Sequence, residues 1–234
     1  MSSYSDYYET NLYPLQDGVL KCVEESSAGF FLTGGTALSR VYCNHRYSDD
    51  LDLFLCSDHL FIEKVDKVLA SLQKAGYIHS NEKNFIRTAD FASIYVQHPG
   101  LTETTLKVDF VNDVAPHYGE FVCSNVFSKI DSLRNILSNK LSALFRFEGK
   151  DVADIYAICR VYSFYWEEIV DETRQKEAGF EVPLAAEILL GFPEAEFKAL
   201  KWKTPPRWED FYAALKQIVF DLTRGKENTL VGLI

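Results

Sequence analysis

The stretch Phe30–Cys56, FFLTGGTALSRVYCNHRYSDDLDLFLC, decides how this chain is read. Its apolar start, 29–33, is predicted as a short strand that ends at Gly34–Gly35. TALSRVYC then reads as a short helix, with Ala37, Leu38, Val41 and Tyr42 at helical spacing. DLDLFLC alternates and reads as a second strand. Glycines at a strand end let a phosphate approach the backbone, and a helix start offers free N–H groups and the positive end of its dipole. Thr36 and Ser39 add hydroxyls. On its own a glycine pair after a strand is more often just a turn.

The second strand raises the reading above that level. Asp50 and Asp52 lie two apart, so on a strand they share a face, with Leu51, Leu53 and Leu55 on the other. Two carboxylates on one face repel, and burying them is costly. A divalent cation relieves both problems, and Mg2+ favours a few carboxylates together with phosphates and water. A third carboxylate, Asp109 in LKVDFV, has Val108 and Phe110 on the opposite face. If its strand lies beside the first, three carboxylates surround one or two ions, the arrangement of metal-assisted phosphoryl or nucleotidyl transfer. The plain alternatives are an exposed edge strand for Asp50 and Asp52 and an exposed strand residue for Asp109. Asp49 points the other way and reads as a solvated strand-entry residue.

Outward from this centre, a helix is expected over about 15–27 and an amphipathic helix over DHLFIEKVDKVLASLQKAG. Asp58 would cap that second helix and Gly76 would stop it. Strands are expected near 84–88, at 91–97 and at 104–111. From Lys129 onward the pattern is helical almost to the end, with stripes at Leu133/Leu137/Leu141/Leu144, Val152/Ile155/Tyr156/Cys159 and Trp208/Phe211/Leu215/Ile218. The composition thus shifts near residue 125. We expect an α/β (α+β) fold with a small mixed sheet and flanking helices over 1–125. A helical lobe over 126–234 would follow, with a cleft between the two.

The 234 residues are 47% hydrophobic and 25% charged, the profile of a globular protein. With 24 Lys+Arg against 34 Asp+Glu the formal charge is −10, so nucleic acid is not attracted in bulk and would need a local basic patch. The modest cluster Lys198, Lys201, Lys203 and Arg207 is such a candidate, although clusters of this kind are usually solvated faces. The five cysteines show no Cys-x-x-Cys spacing and read as reduced and mostly buried, as in a cytoplasmic protein. The scattered histidines suggest no zinc site. No signal peptide and no membrane span are expected.

TGGTALSRVY…HRYSDDLDLF resembles the signature of the nucleotidyltransferase superfamily and, more narrowly, of the AbiEii/AbiGii toxin family. Fourteen residues, 36–49, separate Gly35 from Asp50, slightly more than the commonest spacing. The family also carries a lysine on a later helix and a basic–Asp-x-x-Asp segment. Lys140 in LSNKLSALF and KDVADIYAI, with Asp151 and Asp154, match these, so the resemblance covers about Phe30–Ile158. It implies Mg2+ (or Mn2+) held by Asp50, Asp52 and Asp109, the last either a metal ligand or the base toward the acceptor. It implies an NTP held by Gly34, Gly35, Thr36 and Ser39, with Lys140 neutralising phosphate charge. Asp154 would orient Lys140 or an acceptor hydroxyl. It further implies a bacterial toxin of a toxin–antitoxin or phage-defence system, with tRNA or protein as acceptor and a cognate antitoxin as partner. The alternatives are a non-catalytic nucleotide-binding module and an antibiotic-type small-molecule nucleotidyltransferase. For Lys140 the plain reading is a lysine snorkelling to solvent, and for Asp151 a carboxylate favoured by a helix start. Arg46 is a candidate phosphate contact, His45 reads as a surface residue, and Trp166, Trp202 and Trp208 read as helical core.

Overall fold

The computed structural model describes residues 3–79, 85–101 and 104–232. The chain divides into two compact units. The first comprises Met1–Val41, Tyr47–Ala115 and Phe121–Asp131, and the second Tyr42–Arg46, Pro116–Glu120 and Ser132–Ile234.

In the first unit, helices α1 (Ser3–Tyr7) and α2 (Tyr13–Glu25) precede strand β1 (Phe31–Thr33). The chain then makes a single helical turn, α3 (Gly34–Ala37), that widens into a π turn over Leu38–Tyr42. Strand β2 (Leu51–Cys56) is followed by α4 (Phe61–Lys74), β3 (Ile78–His79), β4 (Ile86–Arg87), β5 (Phe91–Gln97) and β6 (Leu106–Asp113). The sheet order is β1-β2-β6-β5-β3, with β4 also on β5. Among the strands of the described residues, β2 and β6 pair in parallel and the other pairs are antiparallel. The alternation read from the sequence has its physical counterpart in burial. Leu51, Leu53 and Leu55 of β2 and Leu106, Val108 and Phe110 of β6 are buried. Phe110 meets Phe30 edge-on, and Phe30 meets Phe61 of α4 in the same way. The α4 stripe Phe61, Val65, Val68 and Leu72 is fully buried, and Gly76 beyond it takes a positive φ that suits glycine.

Several expected boundaries move. Asp50 stands one residue before β2 rather than inside it. Asp58 is not the cap of α4: that position is Leu60, and Asp58 instead accepts from the Leu60 N–H and pairs with Lys64. The strand expected near 84–88 is confined to Ile86–Arg87, and Asn84 lies outside the described residues. Lys129–Asp131 is not helical. It runs along β1, with Leu32 N–H donating to Lys129 C=O and Asp131 N–H to Leu32 C=O.

The second unit is helical: α5 (Leu133–Ala143), α6 (Gly149–Val161), α7 (Trp166–Lys176), α8 (Val182–Leu190), α9 (Glu194–Ala199) and α10 (Trp208–Leu222). Ser132 caps α5 by accepting from the Asn135 N–H. Leu137, Leu141, Ile155, Cys159, Phe211, Leu215 and Ile218 are buried, as their stripes demand. Trp166 and Trp202 are buried, and the rings of both Trp202 and Trp208 pack at a tilt against Phe197. Cysteine burial is less uniform than the sequence suggests: Cys22 and Cys159 are buried, but Cys56 and Cys123 are exposed. Among the described residues no helix is long and apolar enough to cross a membrane.

Candidate functional site

The register of the sheet assembles a polar row in the first unit. Thr33 pairs with Asp52, Asp52 with Asp109, and Asp109 with Ser93, one residue from each of β1, β2, β6 and β5. Directly paired residues share a face, so four polar side chains cross the sheet on one rung. The row is fixed by hydrogen bonds. Thr33 Oγ1 donates to Asp131 Oδ2 at 2.6 Å, and Ser93 Oγ to Asp109 Oδ1 at 2.5 Å. Lys107, two residues before Asp109 and therefore on its face, places Nζ 2.5 Å from Asp109 Oδ2. Burial lowers the Lys107 pKa, but the Asp109 hydrogen bond and the charges of Asp109, Asp50 and Asp52 outweigh it and raise it. One ammonium thus feels all three sequence-predicted carboxylates.

The glycine turn belongs to the same place. Gly34 has φ +68°, and a Cβ there would stand 2.1 Å from Asp52 Oδ2. Only glycine gives both the left-handed backbone and the room for the carboxylate. Gly35 is buried within the turn. The hydroxyls of Thr36 and Ser39 are placed differently from the sequence expectation. Both residues are fully buried, Thr36 Oγ1 donating to the Asp50 carbonyl and Ser39 Oγ to the Thr36 carbonyl. Thr36 thereby ties the turn to the residue before β2, and Ser39 bonds within the turn itself. The single turn of α3 also leaves little helix dipole for a phosphate. Asp49 is exposed and accepts from the Tyr8 hydroxyl.

The donor set on this rung is all oxygen, which suits a hard divalent cation. Asp50 and Asp52 are partly exposed, and a resident ammonium already lies in their field. Among the described residues no group of three or more His, Cys, Asp and Glu side chains is gathered closely enough to hold a metal ion by itself.

The second unit holds a separate, buried charge network. Asp154 has no exposed surface. Its Oδ1 accepts from Arg46 Nε at 2.7 Å and lies 2.8 Å from His45 Nε2; its Oδ2 accepts from Arg46 NH2 at 2.8 Å and lies 2.8 Å from Lys140 Nζ. Lys140 Nζ also donates to Asp151 Oδ1 at 2.7 Å, and Arg146 reaches Asp151 Oδ2 at 3.3 Å. Lys140 and Asp154 do meet, on the successive helices α5 and α6. Lys140 does not snorkel: its side chain is 11% exposed and its ammonium sits between two carboxylates. Arg46 is a bidentate clamp, not an open phosphate contact, and His45 is buried, not superficial. Asp151 is fully buried and paired, beyond what a helix start would ask of it. Removing one partner of such a buried pair costs about 3–5 kcal/mol, because the other charge is stranded.

Burial raises the Asp154 pKa, but the charges of Arg46 and Lys140 and the bonds from His45 and Arg46 overcome it and hold the carboxyl well below its usual range. Burial, helped by the charges of Arg46 and Lys140, lowers the His45 pKa against the bond and charge of Asp154. A neutral His45 then donates from Nε2, a tautomer assigned from the bond to Asp154. Its Nδ1 is buried without a hydrogen-bond partner, so a proton added there would find no acceptor. The basic cluster of the second unit is dispersed in local pairs, Lys198 with Glu194, Lys203 with Asn44 and Arg207 with Asp210.

Residues 19–224 match the family described as nucleotidyl transferase AbiEii toxin of type IV toxin–antitoxin systems. The chain belongs to this family. It is therefore a nucleotidyltransferase, with an NTP substrate and a cognate antitoxin going with the family. JHP933 from Helicobacter pylori shares its fold at TM-score 0.57 and 18% identity, over 91% of this chain and 94% of that one. MenT4, a nucleotidyltransferase toxin from Mycobacterium tuberculosis, does so at TM-score 0.56 and 17% identity, over 91% and 82%. No curated protein matches the chain.

Sequence reading missed Ser93, Thr33, Asp131 and Lys107 of the first unit and the burial of His45 and Arg46 in the second. For Lys107 the signal was present, since it lies two residues before Asp109.

Two outcomes follow from this geometry. Gly34→Ala is expected to lose roughly 1–2 kcal/mol from the left-handed backbone alone, with more from displacing Asp52. Urea denaturation measures this, and unchanged stability would show that the turn relaxes freely. The second concerns pH. His45 has a folded pKa below its unfolded value, so stability falls as pH drops through the unfolded value; the depressed Asp154 adds a further loss below the carboxylate range. His45→Gln keeps a donor to Asp154 but cannot titrate. Its denaturation free energy should fall less steeply than that of the wild type between about pH 7.5 and 5.5. Identical slopes would mean that His45 does not titrate differently on folding.

Proposed function

We propose that this chain transfers a nucleoside monophosphate from an NTP to an acceptor hydroxyl, with Mg2+ (or Mn2+) held by Asp50 and Asp52 and the triphosphate at the Gly34–Gly35 turn. The observation that carries this reading is the Asp52 carboxylate leaning over Gly34, at a distance where no side chain fits. A backbone stripped of its Cβ leaves N–H groups open to phosphate oxygens, and positive-φ turns favour anions. A divalent cation there neutralises triphosphate charge and favours departure of pyrophosphate.

In the reaction the acceptor oxygen bonds to the α-phosphorus, and the bond from that phosphorus to the oxygen bridging to the β-phosphate breaks. The acceptor proton leaves to a base, and Asp109, with Ser93 and Lys107 fixing its direction, is the candidate. Thr36 and Ser39 support the turn from beneath instead of touching phosphate. Lys140 acts on Asp154 as a positioning residue, its ammonium engaged by Asp151 and Asp154. For the acceptor we favour tRNA or a protein hydroxyl in a bacterial cytoplasm, in line with a toxin whose target is a cell component.

The reading is tested by incubating the chain, Mg2+ and each α-labelled NTP with a total-cell extract. Label is expected in the tRNA or protein fraction. Asp52→Asn should reduce transfer by about 10²-fold or more while the chain stays folded. Label confined to small molecules would favour an antibiotic-type acceptor, and near-normal transfer by Asp52→Asn would contradict the metal assignment.

A further inference from the structure

We infer that Lys107 stands where a second divalent ion would bind, so that the first unit takes a single ion at Asp50 and Asp52 and keeps Asp109 for the ammonium. This deepens the proposed function and rests on its metal reading. Three observations carry it. Lys107 and Asp109 share one face of β6, and Lys107 Nζ lies 2.5 Å from Asp109 Oδ2. The other oxygen of Asp109 accepts from Ser93 at 2.5 Å, so each oxygen already has a partner from the protein. Asp109 is the register partner of Asp52 across β2 and β6, so the ammonium bound to Asp109 stands at the rung and not on a remote surface.

Charge makes the case quantitative. Three carboxylates are balanced by one divalent ion and one ammonium. A second divalent ion beside the ammonium would leave the rung strongly positive before any nucleotide arrived. It would also have to strip Lys107 or Ser93 from Asp109 and shed its own water, which Mg2+ does reluctantly. An ammonium needs neither step. It brings a fixed positive charge to the third carboxylate on a stem that β6 holds in register. Its side chain is 35% exposed, so it is near the solvent that a substrate must cross.

The test is a Mn2+ titration of the whole chain without nucleotide, free Mn2+ being read by electron paramagnetic resonance. Wild type is expected to bind a single Mn2+, and Asp52→Asn to lose it. Lys107→Met and Lys107→Gln, two neutral replacements measured side by side, should bind the first ion roughly ten-fold more tightly, because a nearby positive charge has gone, and should admit a second. Lys107→Arg should keep the wild-type count. Circular dichroism confirms that each variant is folded, and either neutral variant suffices if the other is not. Any wild-type count other than one overturns the inference, as does a neutral variant with unchanged count and affinity. Zero bound in the wild type and both neutral variants overturns the metal reading of Asp50 and Asp52 as well.

Discussion

The parallel pairing of β2 with β6 is the constraint on which the candidate site depends. It sets Asp52 opposite Asp109. A slip of β2 by one residue would turn Leu53, fully buried, out of the core and bring Asp52 in, and a slip of β6 would do the same to Phe110 and Asp109. The apolar face therefore enforces the polar one. β1 and β5 extend the same rung antiparallel on either side, adding Thr33 and Ser93. Gly34 follows Thr33 directly, so the turn is delivered to the Asp52 carboxylate by the rung itself.

The second unit solves a different electrostatic problem. Two carboxylates, Asp151 and Asp154, are withdrawn from water entirely. Lys140 bridges them, and Arg46 completes Asp154 with a fork of two N–H groups. Lys140, Arg46 and, from the surface, Arg146 thus face the two carboxylates, and His45 joins as a neutral donor. Such a network adds direction more than net stability, because desolvation cancels much of the Coulomb gain. It fixes Asp154 in one orientation, which a lone aspartate in water would not keep. Lys140, for which the plain expectation was a side chain snorkelling to solvent, is instead held between two buried carboxylates.

Local pattern revealed what local physics controls. The Asp/Leu alternation of β2 and the Val–Asp–Phe run of β6 marked Asp52 and Asp109, because period two is visible in a single strand. The helical stripes of α4, α5, α6 and α10 were visible for the same reason. Ser93 was not, since its role comes from the β5–β6 register, a pairing between strands that no single segment encodes. β3 and β4 have two residues each, too few to show a period. His45 and Arg46 sit in a polar, turn-like stretch that reads as surface; partners distant in sequence, Asp154 and Trp202, enclose them. Thr36 and Ser39 were recognised as special, but whether a hydroxyl faces ligand or backbone depends on the packing of the turn.

The central claim is that the rung and the Gly34 turn form one nucleotide–metal site. A crystal grown with Mn2+ and a non-hydrolysable NTP tests it most directly through anomalous diffraction. The account predicts a Mn2+ peak against Asp50 and Asp52, with the triphosphate on the backbone of Gly34–Gly35. A peak away from Asp52, or phosphates bound elsewhere with the Gly34 turn bare, would contradict it.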